Sequence, residues 1–316
     1  MNNLINRIMS QYCVAGNGNG LEDALKESLC QHFDSCETDA LGSITFTKKL
    51  GEGKRLMLVC GMDTSGLVAT FAEGSKINVS SVGSFHVANM AFSKVSFGEV
   101  KGTLIPLGGY DFSTPITDYA VETYDIDASE KITLGDTAYF DEPSLYDEKS
   151  GMAVGFGSAT KMCVYLLTEM AIKLISGDNS FLRDNGIGEL CVCFANQESL
   201  GSRGASALSC AVNPDEIISI CPMDMTEKNV GSFSFSDGVA VKMLDKGFVA
   251  TEETSVLAEN LLDSLSIRHK RRVSNNSRSA LSRLGLCGKG AGLAEIGIAH
   301  KFAGTRGETV KNPFKA

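Results

Sequence analysis

The sequence predicts an α/β protein interrupted by a small all-β module. Three observations carry this. Continuous apolar runs, LMLVC (56–60), LCVCF (190–194) and EIISIC (216–221), alternate with stretches of helical periodicity, as strands buried on both faces of an open sheet do. Each run leads into a turn rich in glycine, acids or amides, where open α/β sheets place their ligands. From Ala72 to Lys149 the texture changes to short alternating stretches separated by glycines roughly every ten residues, with no helix signal. A β module inside an α/β pattern reads as an insertion, giving an α/β part of residues 1–71 and 150–316 and an inserted β unit of 72–149.

In chain order, Leu4, Ile5, Ile8 and Met9 have helical spacing, and after the glycines at 16, 18 and 20 a second helix carries Leu21, Leu25 and Leu29 on one stripe. Ser43–Lys48 and Arg55–Cys60 read as strands, and Leu67–Phe71 as a further strand of the α/β part. After the β unit, Met162–Ile175 is helical, followed by the Leu190 strand, an ASALSCA helix, the Glu216 strand, a VAVKMLD strand, a helix over Glu253–Leu265 and a last strand in GLAEIGIAHKF. The basic cluster His269-Lys270-Arg271-Arg272 lies in a Ser/Asn-rich stretch and reads as a solvated loop, although Ile267, Arg268 and His269 open a strand-like segment.

The chain of 316 residues is 43% hydrophobic and 21% charged, ordinary values for a globular protein. Its net charge of −9 argues against nucleic acid or an anionic membrane as partner. No run approaches the roughly 20 apolar residues of a membrane span, and the start lacks the apolar core of a signal peptide, so the expectation is a cytoplasmic protein. Most of the ten cysteines lie inside apolar runs and read as reduced, buried side chains. Cys191 and Cys193 share one strand face, but no second Cys or His pair accompanies them as a zinc site requires.

Glu198, in Asn196-Gln197-Glu198-Ser199 after the Leu190 strand, is the best single candidate for a functional carboxylate. Its bland alternative is an acid that caps a turn or helix and does no chemistry. Asp63 and Asp224 recur at the ends of the Arg55 and Glu216 strands.

The order of these tracts resembles the glutamyl aminopeptidase and tetrahedral aminopeptidase family of dinuclear metallopeptidases. The matching stretches are Thr38–Gly42, LMLVCGMDTSGLVAT, Gly135-Asp136, Asn196–Ala205, Met223–Thr226 and Ile298–Glu308. The resemblance implies a three-layer phosphorylase/hydrolase-like α/β sandwich with an inserted PDZ-like domain through which subunits dimerise and build dodecamers. It also implies two Zn²⁺ or Co²⁺ ions, held by two His and three carboxylates, and a Glu that takes a proton from the shared water.

This sequence departs from that pattern. Gly61 stands at the first His ligand and Ser158 at the bridging Asp. Ser199 stands at the ligand acid after Glu198, and Gly304 at the last His. Asp224 is the one ligand kept, alongside Glu198 at the general-base position and Asp63 at the ligand-orienting position. Glu308 is also kept, while His300 lies four positions from the lost ligand and out of register with it. A Gly offers no side-chain donor and a Ser is a poor one, so the expectation is no bound cofactor. Cys60 and Cys221 are the conceivable substitutes, with Cys60 pointing to the opposite strand face.

The leading reading is a family member without peptidase turnover that binds a peptide or small ligand or associates with itself or an active paralogue. The alternatives are an active aminopeptidase with a rebuilt or misaligned site, and a metal-free hydrolase using Ser158 or Ser199, for which no histidine base offers itself.

Overall fold

The computed structural model describes residues 4–16, 19–109, 111, 113–177, 180–226, 232–274, 281–284 and 290–315. In chain order the helices are α1 (Leu4–Ser10), α2 (Asn19–Leu29), α3 (Ala128–Lys131), α4 (Ser158–Ser176), α5 (Ser180–Asp184), α6 (Arg203–Val212), α7 (Glu252–Ser264) and α8 (Leu281–Leu284). The first nine strands are β1 (Ser35–Thr38), β2 (Ile44–Lys49), β3 (Lys54–Gly61), β4 (Gly66–Glu73), β5 (Lys76–Val82), β6 (Lys94–Phe97), β7 (Val100–Pro106), β8 (Tyr119–Thr123) and β9 (Thr137–Phe140). The rest are β10 (Leu145–Asp147), β11 (Met152–Val154), β12 (Ile187–Ala195), β13 (Glu216–Asp224), β14 (Val239–Leu244), β15 (His269–Val273), β16 (Gly292–Lys301) and β17 (Thr309–Lys311).

Eleven strands form one mixed sheet, whose main path runs β1-β2-β12-β3-β13-β16-β17-β11-β10, with β14 against β16 and β15 against β14. The four central strands, β12, β3, β13 and β16, are mutually parallel. Their apolar runs are continuous because both faces are covered. Leu56, Leu58 and Cys60 face the core under α1, α2, α4 and α7, whereas Met57, Val59, Cys191 and Cys193 face the core under α6 and α8. Parallel order brings the C-terminal ends of all four strands to one edge of the sheet, at Gly61, Ala195, Asp224 and Lys301.

A second sheet closes into a six-strand barrel, β4-β5-β8-β7-β6-β9, around Leu67, Val79, Val95, Leu104, Val121 and Phe140. The expected unit boundaries move at both ends. Strand β4 pairs with β5 and β9 and takes no partner in the large sheet, so the Leu67–Phe71 run belongs to the barrel rather than to the α/β part. On the return, β10 and β11 already pair within the large sheet, ahead of residue 150 at β10. The chain therefore crosses into the barrel within a few residues of Gly61, and the barrel's wall stands beside the sheet's C-terminal edge.

The basic cluster is not a loop. His269–Val273 is strand β15, parallel to β14. Arg271 is bound by Glu259 at 2.7 Å and Glu252 at 3.1 Å, and buried Arg272 sits over the Phe233 ring. Acids from α7 neutralise what composition alone leaves charged.

Candidate functional site

The C-terminal edge of the parallel strands opens into a cavity of about 880 Å³, walled on its other side by the barrel's Ser65 and Ser84. Gly61, Asp63, Glu198, Ser199, Gly304 and Glu308 line it together, brought in by three strand ends. Of the other sequence candidates, Ser158 is buried at the start of α4, while its neighbours Gly157 and Ala159 line the cavity. Asp224 does not join them. It is exposed at the end of β13, and its Oδ1 accepts hydrogen bonds from Thr226 N–H at 2.8 Å and Thr226 Oγ1 at 2.7 Å. Cys60 is turned into the core under α4, and Cys221 lines the cavity.

The three cavity acids are all engaged by backbone amides. Asp63 accepts from Glu198 N–H at 2.7 Å, from Ser199 N–H at 3.0 Å and from the Ser199 hydroxyl at 2.5 Å. Glu198 Oε1 accepts from Ala205 N–H at 2.7 Å, in the first turn of α6. Glu308 Oε1 accepts from Ala159 N–H at 2.8 Å, in the first turn of α4, and its Oε2 accepts from Gly304 N–H at 3.0 Å. A carboxylate against the free N–H groups that open a helix is favourable through both hydrogen bonds and the helix dipole. Gly204 permits this approach: a Cβ there would lie 2.0 Å from the Asn196 carbonyl oxygen, so any side chain would push α6 off the end of β12.

Burial dominates the acid–base character. It pushes the Glu198 carboxyl up to about 7, and the nearby Asp63 adds to the shift. Burial also raises Asp63, against its hydrogen bonds. His300, buried in the cavity wall, is held low by desolvation, so its neutral form is favoured. Among the described residues its Nδ1 has no hydrogen-bond partner.

Sequence reasoning set His300 aside and did not find Lys242 or Glu295. Lys242 lines the cavity and is ion-paired with Glu295 on the neighbouring strand, both essentially excluded from water. The signal was present: single opposite charges inside two apolar strand runs, VAVKML and LAEIGIA, which share adjacent positions in the sheet.

Residues 42–312 match the model of the M42 glutamyl aminopeptidase family. The chain belongs to that family. A protein of Acetivibrio thermocellus described as a putative aminopeptidase is 23% identical over 257 residues, covering 78% of this chain and 74% of that one. The TET1 peptidase of Pyrococcus horikoshii superposes with a TM-score of 0.81 at 17% identity, over 99% of this chain and 95% of that one. An aminopeptidase from Desulfurococcus kamchatkensis gives 0.82 at 17% identity, over 99% and 90%. At such identities the structural likeness establishes the fold.

Members of the M42 family are typically metal-dependent. Among the described residues no three His, Cys, Asp or Glu side chains gather to hold a metal. The space a side chain at residue 61 would take is filled: a Cβ built there lies 2.9 Å from Glu198 Cγ and 3.1 Å from its Cβ. Ser158 Oγ donates to the Glu308 carbonyl at 3.0 Å, and Ser199 Oγ to Asp63 at 2.5 Å, so each serine proton is directed to a structural acceptor.

Proposed function

We propose that this chain keeps the M42 scaffold without its dinuclear metal centre or peptidase turnover, and acts by binding and assembly. The observation that carries the reading is Glu198. At the general-base position, its side chain packs against Gly61 where a Cβ would lie, and its Oε1 accepts from Ala205 N–H. An acid so held stabilises the start of α6. Asp63 and Glu308 fit the same account, as acceptors that order the Glu198 turn and the start of α4. Asp224 then stands as a solvent-side acid that braces its own turn through Thr226. The third sequence reading, a serine nucleophile, has no support in the hydrogen bonds of Ser158 and Ser199.

In this reading the cavity accepts a peptide or small molecule without cleaving it. The finer fold is a phosphorylase/hydrolase-like sandwich carrying a PDZ-like domain, with crossings between Asp63 and Gly66 and between Phe140 and Leu145. Self-association runs through the barrel, as a dimer or a dodecamer, alone or with an active paralogue. Exposed Phe71, Tyr124 and Ile126 in the barrel region support this, as does the TET1 peptidase, described as assembling into a tetrahedron or a large octahedral shell. No helix among the described residues is long and apolar enough to cross a membrane. Buried, unpaired Cys13, Cys60, Cys163, Cys191 and Cys193 support a cytoplasmic setting.

The test is elemental analysis of protein purified without chelator and dialysed against excess Zn²⁺ or Co²⁺, with an aminopeptidase assay alongside. The expected result is no stoichiometric metal and no release of N-terminal residues. Near two ions per chain, with turnover abolished by Glu198→Gln, would overturn the reading in favour of an active aminopeptidase.

A further inference from the structure

Between β16 and β17 the chain makes one turn, Phe302-Ala303-Gly304-Thr305-Arg306-Gly307-Glu308, that ties the large sheet to the barrel. Ala303, Gly304 and Glu308 line the cavity. On the sheet side, the Glu308 carboxylate holds the turn to α4 through Ala159 N–H at 2.8 Å. On the barrel side, Arg306 donates to Ser93 Oγ at 2.7 Å and to the Ala91 carbonyl at 3.2 Å. Thr305 Oγ1 donates to the Phe302 carbonyl at 2.8 Å and closes the turn on itself. The backbone is thus pinned on both sides, yet Phe302, beside the cavity-lining Ala303, is 62% exposed.

The backbone of Phe302 is also strained, with φ at +58°, a left-handed conformation that a bulky side chain adopts only at a cost. Among the described residues, Asn213 and Ser266 share this conformation just after α6 and α7, an ordinary place for it. The others gather round the cavity. Gln197 and Ser202 frame the Glu198 turn, and Phe92, between the two residues that Arg306 grips, is 57% exposed at φ +62°. A glycine would fit the Phe302 position without strain. An exposed ring gives the fold little packing in exchange, so the strain points to a use outside the fold.

We propose that Phe302 is a specificity-determining residue: its ring is the apolar rim of the cavity and packs against an apolar side chain of a peptide whose backbone enters beside Ala303 and Gly304. This rests on the reading that the cavity accepts a peptide. Inside, Asp63, Glu198, Lys242, Ser199 and Ser202 offer charges and hydroxyls that suit a peptide's polar backbone and termini. Phe302 adds apolar surface where such a chain would leave the cavity for solvent. Its continuity with the cavity wall through Ala303 favours the cavity's own ligand over a second copy of the chain as the occupant.

The chain has no tryptophan, so the emission of the tripeptide Ala-Trp-Ala reports the ligand alone. It is titrated with the intact chain in the presence of chelator, and Ala-Leu-Ala and Ala-Gly-Ala are then used to displace it. The expected result is saturable binding, with Ala-Leu-Ala displacing about 10-fold better than Ala-Gly-Ala, as partial burial of a leucine side chain allows. Phe302→Gly should abolish that preference while the melting temperature stays the same or rises, because glycine relieves the left-handed backbone. Phe302→Leu should keep most of the preference. A preference retained in Phe302→Gly, or a lowered melting temperature with the preference intact, would overturn the proposal. Dissociation of an oligomer by Phe302→Gly would also overturn it, giving the ring to a second copy. No saturable binding to wild type would overturn it together with the reading of the cavity as a peptide site. Cleavage of the peptide in a parallel sample with Zn²⁺, read by mass, would strike only the reading of lost turnover, and the displacement series would still decide the role of Phe302.

Discussion

Gly61→Ala probes the site at its most informative point. The added Cβ would lie 2.9 Å from Glu198 Cγ and 3.1 Å from Glu198 Cβ, tighter than real contacts allow. These are inner atoms of the side chain, so relief requires the whole Glu198 side chain to swing and its 2.7 Å bond to Ala205 N–H to loosen. Overpacking of this kind costs about 1–3 kcal/mol. Against it stands a gain of about 0.4–1 kcal/mol from the lost freedom of the unfolded glycine. The net expectation is a destabilisation of about 1–2 kcal/mol, read from urea midpoints at constant m value. In a Glu198→Ala background the clash is gone and only the favourable term remains. There the same Gly61→Ala change should be neutral or slightly stabilising, giving a coupling of about 1–3 kcal/mol between the two positions. Equal costs in the two backgrounds would refute the claim that Glu198 occupies the space of the missing side chain.

Other expectations follow from the same contacts. Glu198 has a folded pKa raised to about 7, so its contribution to stability is fully present below its unfolded value and is lost as pH rises through 7. The unfolding free energy from urea titrations should therefore fall between pH 5 and 8 by up to about 3 kcal/mol in wild type, and Glu198→Gln should flatten that slope; an unchanged slope would count against the burial of this acid. Asp63→Ala strips two backbone N–H groups and the Ser199 hydroxyl of their acceptor. It should cost about 2–4 kcal/mol, seen as a lower melting temperature. Lys242→Met leaves the buried Glu295 without its ion-pair partner and should cost about 3–5 kcal/mol, much of it recovered when Glu295→Gln is added. Additive losses in the double variant would contradict the pairing.

The central sheet was legible because its signal is local. A continuous apolar run such as LCVCF can be satisfied only between two covered faces, and the parallel core follows. Periodicity cannot say which sheet a strand joins. The run Leu67–Phe71 reads the same in either, and its membership of the barrel is decided by pairing with β5 and β9, far along the chain. The segment HKRRV has a polar composition that reads as loop until Glu252 and Glu259 of α7 are placed beside Arg271. His300 was discounted by counting from the lost ligand at Gly304, yet strand β16 directs it into the cavity wall. Asp224, the one ligand type kept in sequence, is turned to solvent. Residue identity at an aligned position fixes neither side-chain direction nor hydrogen-bond partners.

Asp63, Glu198 and Glu308 have structural duties in the cavity that follow from their hydrogen bonds. Each kept acid in the cavity serves a backbone amide that would otherwise lie buried and unpaired: the Glu198 and Ser199 amides, the first turn of α6, and the first turn of α4. Losing such an acceptor costs about 1–3 kcal/mol per orphaned donor, a large fraction of a domain's net stability. Glu198 packs in the place of a side chain at residue 61, and Gly304 contributes its backbone N–H to Glu308. Ser158 and Ser199 supply short hydroxyls that reach the acceptors beside them. A metal-binding role and a folding role therefore make different demands on one cavity. Asp63, Glu198 and Glu308 each serve the fold as acceptors of backbone amides.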